Sequence, residues 1–198
     1  MDYHRRIILI IVLALHGGFV LSATPEQHPS SPVQRSMRYT SRSADDAGTW
    51  QKDVRAKLFQ RLKIDDLITK RNSIPLDPKE LYSADRGTYH VKEVEINSTL
   101  SRRIQIVVTI PHTKQGLVPA VVCIGGHGSD LYSPYDLQTV APEDSRAKSD
   151  AIYKGFGTVL AAMGYVTIST MVSQHNVNEE GRLLMGERLW DLIRCVDY

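Results

Sequence analysis

The chain has 198 residues, 42% hydrophobic and 23% charged, a balance that suits one globular domain. Its net charge of +2, with no tight Lys/Arg block in the part expected to fold, argues against a nucleic-acid partner. Two cysteines, Cys123 and Cys195, do not make a disulfide framework.

In chain order, "MDYHRRIILIIVLALHGGFVLSA" comes first: Arg5 and Arg6, an apolar run from Ile7, and small residues at Ser22 and Ala23. That layout predicts a secretory signal peptide over 1–23 and a secreted product. The rival reading is an uncleaved membrane anchor over residues 7–23. Residues 24–48, rich in Pro, Ser and charge, read as a flexible linker. The folded part is then expected over 49–198.

Trp50, Val54, Leu58 and Leu62 recur every four residues, so an amphipathic helix is predicted from Thr49 to Lys63. Pro75 and Pro78 break the chain. "YHVKEVEIN" (89–97) is β-rich but alternates imperfectly. "RIQIVVTIP" (103–111) puts Ile104, Ile106, Val108 and Ile110 on one face. Their short link predicts a hairpin. It also carries the glycosylation sequon Asn97-Ser98-Thr99, expected on an exposed turn.

"PAVVCI" (119–124) is apolar on both faces, as in a central parallel strand. A polar stretch follows, then a helix with Ser149 or Asp150 as its N-cap and Gly164 as its stop. Gly155 and Gly157 either weaken that helix or let it pack closely. "VTISTM" (166–171) is another buried strand. The last twenty residues are helical, with Met185, Leu189, Ile193 and Val196 as the apolar stripe, Trp190 and Leu192 flanking it, and Asp191 and Arg194 as a surface ion pair. This order predicts an α/β class: a β-hairpin, then parallel strands with crossover helices, preceded by an amphipathic helix.

The strand 119–124 ends in "GGHGSD". Glycines let backbone N–H groups approach a ligand, and sites in open α/β sheets lie beyond the carboxyl ends of strands. "VPAVVCIGGHGSD", "TVLAAMGYVTIST" and "GERLWDLIRCVDY" resemble the first half of an α/β-hydrolase, in the dienelactone-hydrolase-like and acetyl-xylan-esterase-like branch. The resemblance spans about 49–198. It implies that His127-Gly128-Ser129 is an oxyanion loop, with Gly128 or Ser129 supplying a backbone N–H and His127 shaping the loop. The alternative is a tight turn without chemistry. The resemblance also implies a strand order of 1-2-4-3, which leaves 120–124 at an edge through which the chain could self-associate.

The family's G-x-S-x-G nucleophile motif is not present in this sequence, and the acid and histidine that follow it in chain order are not found either. No catalytic residue is therefore assigned. The expected reading is the N-terminal part of a secreted serine-type carboxylic ester hydrolase, inactive alone, whose longer parent would take a small ester. The rival is a non-catalytic secreted or membrane-anchored binding protein of hydrolase ancestry.

Other constellations are weaker. Ser129 with His127 or His175 as base has no evident acid partner. His175, Glu179 and Glu180 lack paired metal-ligand spacing and read as a solvated loop. Glu143, Asp144 and Asp150 read as surface charges, and Cys123 and Cys195 as packed thiols. No cofactor or metal is expected.

Overall fold

The computed structural model describes residues 37–112, 116–136, 140–142, 155–172 and 174–198. The predicted leader over 1–23, most of the predicted linker, the proposed caps Ser149 and Asp150, and Glu143 and Asp144 lie outside these residues. No helix among the described residues is long and apolar enough to cross a membrane.

The first helix, α1, runs Ala44–Arg61, so it begins well before the predicted Thr49. The reason is its cap. Ser43 accepts a hydrogen bond from the Asp46 amide at 3.1 Å, and Asp45 and Asp46 place negative charge in the first turn. Trp50, Val54 and Leu62 are half-buried, whereas Leu58 is exposed. Helix α2 (Asp65–Lys70) and a 3₁₀ turn (Arg71–Ser73) lead into the sheet.

Strands β1 (Lys79–Asp85), β2 (Tyr89–Asn97), β3 (Arg103–Pro111), β4 (Ala120–Val122) and β5 (Val166–Thr170) form one sheet in the order β1-β2-β3-β5-β4. Neighbours pair antiparallel except β4 and β5, which are parallel. Strand β1 was not foreseen. Only Tyr82 and Ala84 pack inward from it, and an irregularity between Glu80 and Tyr82 interrupts its alternation. Without β1, the remaining order is the expected 1-2-4-3, with β4 at the edge.

The imperfect alternation of β2 has a cause. Tyr89 and Val91 join one core cluster, Val94 and Ile96 another. Odd and even residues point to opposite faces, so β2 changes the face it buries midway. On one face, Val91 and Val107 meet Leu131, Tyr135 and Ala161 of the 131–141 segment and helix α3 (Phe156–Ala162). On the other, Ile96, Ile106 and Ile168 meet Cys195 of helix α4 (Leu184–Asp197). The Ile104–Ile110 stripe of β3 follows the second face, although Ile110 at its end is exposed. The result is a three-layer α/β/α domain, the predicted class.

Two glycines set how closely the helices approach. A Cβ on Gly157 would lie 2.7 Å from the Tyr135 ring, so α3 sits tight against that segment. A Cβ on Gly186 would lie 2.2 Å from the Leu62 carbonyl oxygen, so α4 can meet the end of α1 only through a glycine. Gly186→Ala is accordingly expected to destabilise the fold by about 1–3 kcal/mol. Gly48→Ala, with nothing within 4 Å in exposed α1, should be neutral or gain up to about 1 kcal/mol. Urea unfolding of the two variants checks the contrast, and equal midpoints would contradict it.

Candidate functional site

Strand β4 carries its ladder one residue further: the Cys123 amide donates to the Ile168 carbonyl at 2.7 Å. The chain then leaves the sheet through Ile124, Gly125 and Gly126. Gly128 has φ +76°, a left-handed conformation that suits glycine. Ser129 closes the turn. Its amide and its hydroxyl both donate to the Gly126 carbonyl, at 3.1 and 2.6 Å. The Asp130 carboxylate then accepts from the amides of Tyr132 and Ser133, each at 2.9 Å, and directs the chain back into the core.

The turn buries Ser129 and leaves Gly126, His127 and Gly128 exposed. Of this turn, Gly126 and His127 line the cavity beside the loop, whereas Gly128 and Ser129 do not. Among the described residues, the amides of His127 and Gly128 donate to no acceptor.

That cavity encloses about 500 Å³ beyond the carboxyl ends of β4 and β5. Gly125, Gly126 and His127 form one wall. Val172 and His175, after β5, form a second. Leu184, Met185, Arg188, Leu189 and Leu192 of α4 form a third. The His127 and His175 rings meet edge-on, with centroids 4.8 Å apart. Arg188 donates to the Gln174 carbonyl and brings a positive charge to an otherwise largely apolar lining. The sequence reading weighed His127 and His175 separately. Their meeting follows from β4 and β5 being parallel neighbours, whose carboxyl-end loops must lie side by side.

Helix α4 is held by buried charge as well as by apolar packing. Its buried residues are Gly186, Glu187, Trp190, Asp191, Arg194 and Cys195, while Met185 and Val196 are exposed. Of the predicted stripe, Leu189 and Ile193 pack against the core cluster of Ile64, Leu67, Ile74 and Trp190, whereas Met185 and Val196 stay outside it, and Leu189 and Leu192 also line the cavity. The predicted surface pair of Asp191 and Arg194 is also corrected. Both are buried, and they have different partners. Asp191 takes a two-pronged bond from Arg102, Nη1 to Oδ2 at 3.0 Å and Nη2 to Oδ1 at 2.7 Å, and a third from the Ser98 hydroxyl at 2.5 Å. Arg194 donates to Asp197 at 2.7 Å and to the Ile74 carbonyl at 2.8 Å. Burial pushes the Asp191 carboxyl up from its ordinary range, and Arg102 pulls it the other way.

Glu187 accepts from the amides of Asn178 and Glu179 at 2.7–3.0 Å and so pins the loop after β5. Glu179 in turn accepts from Thr99 and Ser101, at 2.6 and 2.8 Å. These contacts give Glu179 a structural task beside the hairpin turn. Cys123 and Cys195 are free, buried thiols, with burial pushing Cys123 up to about 12 and Cys195 up as well.

The sequon is not on an exposed turn. Ser98 and Thr99 are 0% and 5% exposed, and the Asn97 amide bridges the Pro75 carbonyl and Arg103. Charged partners from α4 and its approach draw this turn inward, an effect no local pattern announces.

No family model matches the chain, and no curated protein matches it. Among solved structures, it is similar to a Bacteroides fragilis protein provisionally assigned as an acetyl xylan esterase. The TM-score is 0.53 at 15% identity, over 77% of this chain and 43% of that one. This chain therefore spans less than half the length of that protein. The similarity shows the fold, a mixed α/β one of hydrolase-like form.

If the chain passes through a glycosylating compartment, the folded product should carry no glycan on Asn97, because its Nδ2, the atom a glycan would occupy, donates to the Pro75 carbonyl beside the buried Ser98 and Thr99. Peptide mapping of folded material checks this, and full occupancy at Asn97 would contradict the buried turn.

Proposed function

We propose that this chain is the oxyanion-receiving portion of a serine-type carboxylic ester hydrolase. It would hold the ester oxygen with the His127 and Gly128 amides while a longer parent supplies the attacking group. One observation carries this reading. The exposed turn reaches a cavity at the carboxyl ends of two parallel strands through His127, and neither the His127 amide nor that of the adjacent Gly128 has a protein acceptor among the described residues. Backbone N–H groups held rigidly at such a place suit the charge that develops on a tetrahedral intermediate.

Of the two residues first considered as the N–H donor, Gly128 is favoured, since the Ser129 amide is engaged with Gly126. The His127 side chain would shape the loop through its contact with His175. The Arg188 charge and the apolar α4 wall suit a small ester with a polar or anionic end. The similarity to a provisionally assigned esterase agrees with this ancestry. Secretion through the N-terminal 23 residues, and pairing of copies through β4, belong to the same proposal.

With no G-x-S-x-G in the sequence and Ser129 turned away, the chain alone should not turn over esters. Purified protein is expected to hydrolyse p-nitrophenyl acetate no faster than a Ser129→Ala variant. A serine-reagent-sensitive rate that Ser129→Ala abolishes would overturn the inactivity and return Ser129 to the chemistry.

A further inference from the structure

A second constellation lies at the far end of the sheet. Asp85 closes β1, His90 lies on β2, and His112 follows β3. The register opposes Asp85 to His90 and His90 to Ile110. Directly opposed residues share a face, and residues two apart along a strand share it too. His112 is two residues beyond Ile110, and its amide donates to the Thr88 carbonyl at 3.1 Å, which continues the pairing of β2 with β3. The sheet itself therefore brings all three side chains to one face.

One ligand atom from each of these residues lies within 4.8 Å of the other two. His112 Nε2 is 3.0 Å from Asp85 Oδ1, and the two imidazole rings meet edge-on with centroids 5.9 Å apart. Donors around a tetrahedral zinc ion, at bond lengths near 2.0–2.2 Å, stand about 3.4 Å apart. Small side-chain rotations close the difference. Asp85 and His112 are exposed and His90 is half-buried, so an ion has access from solvent.

The surroundings also orient the ligands. The Gly87 amide donates to Asp85 Oδ1 at 2.7 Å, and the Ser83 hydroxyl lies 3.0 Å from His90 Nε2. Such outer contacts hold metal ligands in position. Two imidazoles and a carboxylate match the donor set of a borderline divalent ion, not the all-oxygen set that magnesium or calcium takes.

We propose that Asp85, His90 and His112 form a binding site for a divalent transition-metal ion of the zinc class. Three protein ligands leave one position for water. The ion would clamp the β1–β2 turn to the end of β3. This site shares no residue with the cavity under His127, so the two readings stand or fall separately.

The test is isothermal titration of the full chain with zinc chloride in a non-chelating buffer, with magnesium as control. One equivalent of zinc should bind and magnesium should not. His90→Asn and His112→Gln should each weaken zinc at least about tenfold, and Asp85→Asn should weaken it as well. The double variant His127→Gln, His175→Gln should bind as the parent does. In the parent protein, the His90 and His112 imidazole NMR signals should move on zinc addition, a readout that needs no variant. Absence of zinc uptake, uptake undiminished by the His90 and His112 variants, or movement of other histidine signals alone would overturn the proposal and leave an Asp85–His112 hydrogen bond.

Discussion

The Arg102–Asp191 ion pair is the constraint on which the rest of this structure depends. It joins the β2–β3 turn to helix α4 across the chain, at 2% exposure for the Asp191 side chain and 14% for Arg102. Around it gather the Ser98 hydroxyl and Trp190, the largest fully buried side chain, whose indole N–H donates to the Ser98 carbonyl at 2.8 Å. A carboxylate is costly to bury, and here the cost is offset by three hydrogen bonds, two of them from a guanidinium. The geometry of that fork admits few orientations of α4. Apolar packing alone would tolerate a helix rotated by a residue or two.

The orientation has consequences at the other edge of α4. With Glu187, Trp190, Asp191 and Arg194 turned inward, Arg188, Leu189 and Leu192 face the glycine loop. The same helix therefore closes the core and builds a cavity wall. Glu187 extends this control to the loop after β5, because it holds the amides of Asn178 and Glu179. A held cavity rim suits the anion-receiving role proposed above, since donors that must reorganise lose most of their advantage. The metal-ligating cluster at the opposite end rests on sheet register instead. Antiparallel pairing of β1, β2 and β3 assembles it without any helix.

Much of this was legible from local pattern. The alternation of 103–111, the apolar run before the glycines and the β-rich 166–171 each yielded a strand, because their side chains report a buried face directly. The turn after β4 was legible too, since glycines permit the left-handed conformation found at Gly128. Long-range charge pairing was not. Asp191 and Arg194 have surface spacing on a helix, and only the arrival of Arg102, 89 residues earlier in the chain, makes the buried face polar. The same pairing inverted the expectation for the sequon. Strand β1 escaped because its apolar residues are few and its register slips. The Asp85, His90 and His112 cluster escaped because its members belong to three strands and gain meaning only once register is known.

A double-mutant cycle on the buried pair tests the account most directly, with Arg102→Met, Asp191→Asn and the combination followed by urea unfolding. Each single change leaves one buried group without its counterpart and is expected to cost about 3–5 kcal/mol. The combination should cost far less than the sum, giving a coupling energy of about 2 kcal/mol or more. Single costs that add to within about 0.5 kcal/mol would show that the two residues do not act on each other, and would contradict the claim that this pair sets the seat of α4 and the cavity wall it carries.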